Sequence, residues 1–165
     1  MYPTAAILIQ LIAIGLLLRI AWRDMNVQKI ANGDVIALAA TGAAGLVVQS
    51  LAIGSWSTML FSLLLGLALF AVLFPFWMWK KLGAGDVKLI AVVPLVIGIQ
   101  DMLLFSIILL VATLVIVMLI RNPLLLPAPL FQKYLQVYER KGVVPFGVPI
   151  SVALIGVLLL QIAVR

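Results

Sequence analysis

The sequence predicts an all-α polytopic membrane protein with six transmembrane helices and both termini outside. Three observations carry that reading. Of 165 residues, 66% are apolar and 10% charged, and the mean hydropathy is +1.34, far from soluble usage. The apolar residues gather into runs of spanning length, about 20 residues for a hydrocarbon core of roughly 30 Å. The eleven basic residues stand in short clusters at the ends of those runs, a pattern that reports topology and contact with anionic lipid headgroups rather than a nucleic-acid partner. The chain has no cysteine and no histidine. Thiolate nucleophiles, disulfides, histidine metal sites and Ser-His triads are therefore excluded.

The first run, from about Thr4 to Trp22, has no basic residue ahead of it and is followed by Arg23 and Lys29. It reads as a retained span, since a signal peptide carries its positive charge first. The positive-inside rule then puts residues 23–33 in the cytoplasm. A second run follows Asn32-Gly33-Asp34 and reaches about Ile53, with small residues from Ala39 to Gly45 suited to close helix packing in lipid. A third, from about Thr58 to Trp79, returns to the cytoplasmic side with Trp77 and Trp79 as interface anchors and a kink expected at Pro75.

From Val87 to Ile120 the apolar sequence is almost unbroken, which as one helix would measure about 50 Å. Gly98-Ile99-Gln100-Asp101 is the natural break, leaving a fifth span from about Met102 to Ile120 and a short fourth that covers only about 20 Å, so that one of its ends should be sunk below the interface, as a buried Asp86 would fit. Residues 121–142 form a proline-rich connection whose Phe131–Arg140 piece is mildly amphipathic, suited to the membrane surface. The last span runs from about Val143 to Val164. This arrangement keeps ten of the eleven basic residues in the cytoplasm, leaving Arg165 outside. No repeat and no soluble domain interrupts it, so residues 1–165 are expected to form one integral membrane domain.

The chemistry concentrates in Lys80-Lys81-Leu82-Gly83-Ala84-Gly85-Asp86-Val87-Lys88-Leu89. Asp86 could simply cap a helix. Gly83 and Gly85 point further, because glycine permits positive φ and the close approach of another chain. Two crossings separate Asp24 from Asp86, so both carboxylates return to the cytoplasmic face, as does Asp34. Asp34 stands at the start of the second helix, where capping explains it. Asp24 stands at the end of the first, where the helix dipole disfavours an anion; its plain alternative is a loop charge paired with Arg23 or Lys29.

Asp24 with Asn32 eight positions on, then Gly83-Ala84-Gly85-Asp86-Val87-Lys88-Leu89, then Val144-Pro145-Phe146-Gly147, resembles the type IV prepilin peptidases, membrane aspartyl proteases with a Gly-x-Gly-Asp motif. The resemblance covers nearly the whole chain. It departs at Ile30-Ala31-Asn32, where family members often have Ile-Pro-Asn, and in lacking the four-cysteine insertion of larger relatives. The chain therefore looks like the compact, peptidase-only branch of Flp/Tad pilus systems, without methyltransferase activity.

The resemblance implies an intramembrane endopeptidase of the bacterial inner membrane that removes the basic leader of prepilins and pseudopilins at the cytoplasmic face. Asp24 and Asp86 would be the catalytic pair. Gly83, Gly85, Lys88, Asn32, Pro145 and Gly147 would bind substrate or shape the loops, although Pro145 and Pro149 also suit the first turn of a helix. No metal or cofactor is implied, and the oligomeric state is left open. The rival readings are a small proton- or cation-coupled transporter and a noncatalytic subunit of a pilus or secretion machine.

Overall fold

A computed structural model of the chain describes residues 2–121 and 146–164. Within them are six helices: α1 (Tyr2–Val27), α2 (Asn32–Ile53), α3 (Ser57–Met78), α4 (Ala84–Ile97), α5 (Met102–Arg121) and α6 (Gly147–Val164). Five are long and apolar enough to cross a membrane, making this a multi-pass membrane protein. The fourth of the six expected helices is as short as its sequence implies. At 14 residues, α4 is about 21 Å long and does not cross roughly 30 Å of hydrocarbon by itself. The connection after Arg121, with Pro145 and the expected amphipathic piece, lies outside the described residues.

The surface is what a lipid-facing bundle requires. Leu60, Leu64 and Leu67 on α3 and Leu103, Leu110 and Leu114 on α5 are all exposed, an arrangement unfavourable in water and neutral in hydrocarbon. Exposed Trp22, Trp77 and Trp79 gather at one end of the bundle and Trp56 at the other, as interfacial tryptophans do. Buried positions belong mainly to the inner helices: Leu17 and Ile20 on α1, Leu38 on α2, Leu89 and Val93 on α4, and Ile150, Leu154 and Leu158 on α6.

Short α4 is the post around which the others stand, touching α2, α3 and α6 and, more lightly, α5. Glycine makes this possible at two crossings. A methyl group on Gly42 would lie 2.7 Å from the Leu95 carbonyl oxygen, and one on Gly66 would lie 2.6 Å from that of Ala91. Helices α2 and α3 thus meet α4 backbone to backbone, the close packing expected of the small residues around Gly42.

Polar side chains tie the far end of the bundle. The Gln161 Nε2 donates to the Ile97 carbonyl at 2.9 Å and to Asp101 Oδ2 at 2.6 Å, while Gln10 Nε2 donates to Gln161 Oε1 at 2.7 Å. These bonds join α1 and α6 to the α4–α5 turn. That turn falls at the expected break, where Gly98 adopts φ 79°.

Candidate active site

Three helix ends meet at the tryptophan-rich end of the bundle: the last turn of α1 and the first turns of α4 and α6. Asp24 was expected at the end of the first helix. It lies inside it, because α1 continues to Val27 and closes on Gln28, whose N–H donates to the Asp24 carbonyl at 3.0 Å. Its side chain is buried, with the residue 5% exposed. The unfavourable dipole of its own helix is met by a second helix: the backbone N–H groups of Gly147 and Val148, in the first turn of α6, donate toward the Asp24 carboxylate. Its Oδ2 has no hydrogen-bond partner among the described residues.

Asp86 is the third residue of α4, so it does not cap that helix in the ordinary way; Gly83 occupies the cap position and makes no side-chain bond. The Gly83 backbone N–H instead donates to the Asp86 carboxylate, the reach-back half of a capping box. Asp86 lies outside the five helices long enough to cross the membrane. Its carboxyl is pushed up to about 6, chiefly by burial and next by the charge of Asp24, against the lowering effect of the Gly83 N–H.

The glycines serve space rather than unusual dihedrals. Gly83 has φ −69°, and neither Gly83 nor Gly85 is among the positive-φ residues. A methyl group on Gly83 would lie 2.7 Å from Asp86 Oδ2, and one on Gly147 would lie 2.7 Å from Asp24 Oδ2. At Gly85 the methyl would meet Ile30 Cβ at 2.8 Å. The room expected for an approaching chain is therefore already used, by the two carboxylates and by an isoleucine from the α1–α2 linker.

Asn32 and Lys88 also meet: Lys88 Nζ donates to Asn32 Oδ1 at 3.0 Å on the exposed side of α4. Asp34 goes elsewhere. It is the third residue of α2, with Ala31 at the cap position, and its buried carboxylate pairs with Arg19 Nε at 3.2 Å and Arg23 Nη1 at 3.8 Å. Sequence reasoning missed this tie. Its signal was present, since Arg19 and Arg23 share a helix face at i, i+4 and a cation within an apolar run needs a partner. Ile30 was also missed.

Two cavities of about 500 Å³ are lined by neither Asp24 nor Asp86: one at the far polar end, and one between α2, α3 and α4 whose lining includes Asn32 and Lys88. The site is instead a cleft among helix ends, holding two carboxylates that each accept backbone N–H groups from a helix start.

Residues 11–120 match the model of the type IV leader peptidase family. The chain belongs to the type IV leader peptidase family. No curated protein and no solved structure matches it significantly. The matched span of this leader peptidase includes Asp24, Asn32, Gly83, Gly85, Asp86 and Lys88 and ends before Gly147. Family membership assigns peptidase chemistry of the aspartic type and prepilins as the general class of substrate.

Proposed function

We propose that this leader peptidase is an aspartic endopeptidase that removes the basic leader of Flp-like prepilins at the cytoplasmic face of the bacterial inner membrane, using Asp24 and Asp86. The observation that carries the reading is the convergence of two carboxylates from different helices, each in a glycine-walled place at a helix start, with the charge of one acting on the other.

Two neighbouring carboxylates do not both ionise cheaply, so the pair holds one proton between them over a range of pH. Burial disfavours charge on Asp24, and the Gly147 and Val148 N–H groups at the positive end of α6 offset part of that cost. Asp86, raised to about 6, is the better holder of the proton. Asp24 then takes a proton from a water as its oxygen bonds to the scissile carbonyl carbon, and Asp86 donates its hydrogen bond to the carbonyl oxygen. Collapse of the tetrahedral intermediate breaks the C–N bond. The proton gained by Asp24 goes to the leaving amine, and Asp86 ends with its own.

Gly83 and Gly147 leave room for the two carboxylates and Gly85 for Ile30, and Lys88 with Asn32 braces α4 against the start of α2. The test is co-expression with a prepilin followed by sequencing of the shortened product's new N-terminus. A single cut between the basic leader and the apolar helix supports the proposal. Intact prepilin overturns it in favour of a transporter or an assembly subunit.

A further inference from the structure

The linker between α1 and α2 is four residues, Gln28 to Ala31, entered through Gln28 at φ 54°. Three of the four are polar or small, and the fourth is Ile30. An apolar residue just before a helix cap ordinarily staples onto the fourth helical residue, here Val35. Ile30 reaches further. A methyl group on Gly85 would lie 2.8 Å from its Cβ and 3.3 Å from its Cγ1, while one on Gly147 would lie 3.0 Å from its Cδ1. The side chain thus runs from the first turn of α4 to the first turn of α6. It does so at the edge of the core, half-buried, beyond the fully buried Leu89, Val93, Ile150 and Leu154.

We infer that Ile30 is a positioning residue, a wedge between the glycine-faced starts of α4 and α6 that sets the separation of the Asp24 and Asp86 carboxylates. The inference rests on the peptidase reading for its consequence and on geometry for its cause. Asp86 rides on the first turn of α4, and Asp24 is held by the first turn of α6. No backbone ladder joins two helices, so side chains between them fix how far apart those turns stand. A β-branched side chain has few χ1 choices, which gives the wedge a defined reach. Water-activating chemistry is sensitive to such spacing, with displacement of about 1 Å able to cost on the order of a hundredfold.

The charged groups facing this region are known among the described residues. Asp24 and Asp86 face each other electrostatically, Lys88 is engaged with Asn32, and Asp34 is engaged with Arg19 and Arg23. Lys29, beside Ile30, is exposed. Altering Ile30 therefore changes mainly the mutual influence of the two carboxylates.

The test is a graded series, wild type, Ile30→Val and Ile30→Ala, purified in detergent. Prepilin cleavage is followed from about pH 5 to about pH 8, with Asp86 titrated in parallel by infrared difference against Asp86→Asn. Valine lacks the Cδ1 that reaches Gly147; alanine lacks nearly all of the wedge. The expected result is kcat falling stepwise, roughly tenfold or more for Ile30→Ala, with KM within about twofold. The Asp86 titration should move stepwise to higher pH as the two helix starts close and Asp24 comes nearer.

Unchanged kcat and an unchanged Asp86 titration in Ile30→Ala overturn the inference, as does a change confined to KM. Should Ile30→Ala fail to fold, Ile30→Val decides: a wild-type titration and kcat there overturn it equally. If wild type leaves prepilin intact, the peptidase reading has failed, and the infrared titration still decides whether Ile30 sets the spacing.

Discussion

Gly147 and Asp24 are in contact across two helices: a methyl group on the glycine would lie 2.7 Å from Asp24 Oδ2 and 2.9 Å from its Cγ. Neither atom can retreat easily, since the residue is buried and faces the backbone of the next helix. Gly147→Ala should therefore lower prepilin cleavage by roughly tenfold or more, the scale of a displaced reacting group, with membrane insertion intact. Gly156→Ala, on the same helix, is the control. Its methyl would make ordinary contacts of 3.7 Å with Ile108, and activity should stay within about twofold of wild type.

Gly83 gives a parallel case on α4. Replacing it with valine places Cβ 2.7 Å from Asp86 Oδ2 at an extended backbone that valine otherwise accepts. Turnover should fall by roughly tenfold or more while the melting temperature changes little. Full activity in this variant would contradict the account of the glycine.

Asp34 separates from the pair by its partners. With Arg19 and Arg23 engaged, Asp34→Asn should destabilise the bundle by about 1–3 kcal/mol, the usual range for a buried polar group losing its partner. Cleavage by the folded protein should remain within a few-fold of wild type. Melting curves and single-turnover cleavage, measured on the same preparation, check both halves.

The number of helices, the break at Gly98 and the return of Asp24 and Asp86 to one end were legible in the sequence. Span length and parity determine them. The rotation of each helix about its axis was not legible, and it decides which neighbour a side chain meets. Asp34 looked like a cap because its partners lie on α1, at Arg19 and Arg23. Gly83 and Gly85 suggested unusual dihedrals, whereas the structure uses them for the room that Asp86 and Ile30 occupy. Gln10, Gln161 and Asp101 gave no local pattern at all, since their network joins α1 and α6 to the α4–α5 turn. The extension of α1 to Val27 followed from a polar last turn that hydropathy does not score.

Helix α3 ends with a left-handed residue that is not glycine. Lys81 N donates to the Phe76 carbonyl and Lys80 N to that of Trp77, both at 2.9 Å, and Lys80 sits at φ 57°. This is the Schellman arrangement with lysine where glycine is usual. Lys80→Gly should stabilise the protein by about 1 kcal/mol by relieving the left-handed backbone, and thermal unfolding in detergent would register the gain.

The pH dependence follows from Asp86. Its carboxyl ordinarily titrates near 3.8 and is raised to about 6 in the folded chain, by burial first and the charge of Asp24 second. The folded state thus binds the proton more tightly than the unfolded state. This contribution to stability is complete below about pH 4 and is lost as pH rises through about 6. Asp86→Asn should flatten that part of the stability profile. Cleavage, which needs one proton on the pair, should lose activity on the alkaline side near the same pH.

The most direct test of the central claim is cleavage of a co-expressed prepilin by wild type, Asp24→Asn, Asp86→Asn and Asp34→Asn, read as a gel shift with each variant checked for membrane insertion. The expected result is loss of cleavage in Asp24→Asn and Asp86→Asn and its retention in Asp34→Asn. Cleavage by inserted Asp24→Asn or Asp86→Asn at the wild-type rate would contradict it.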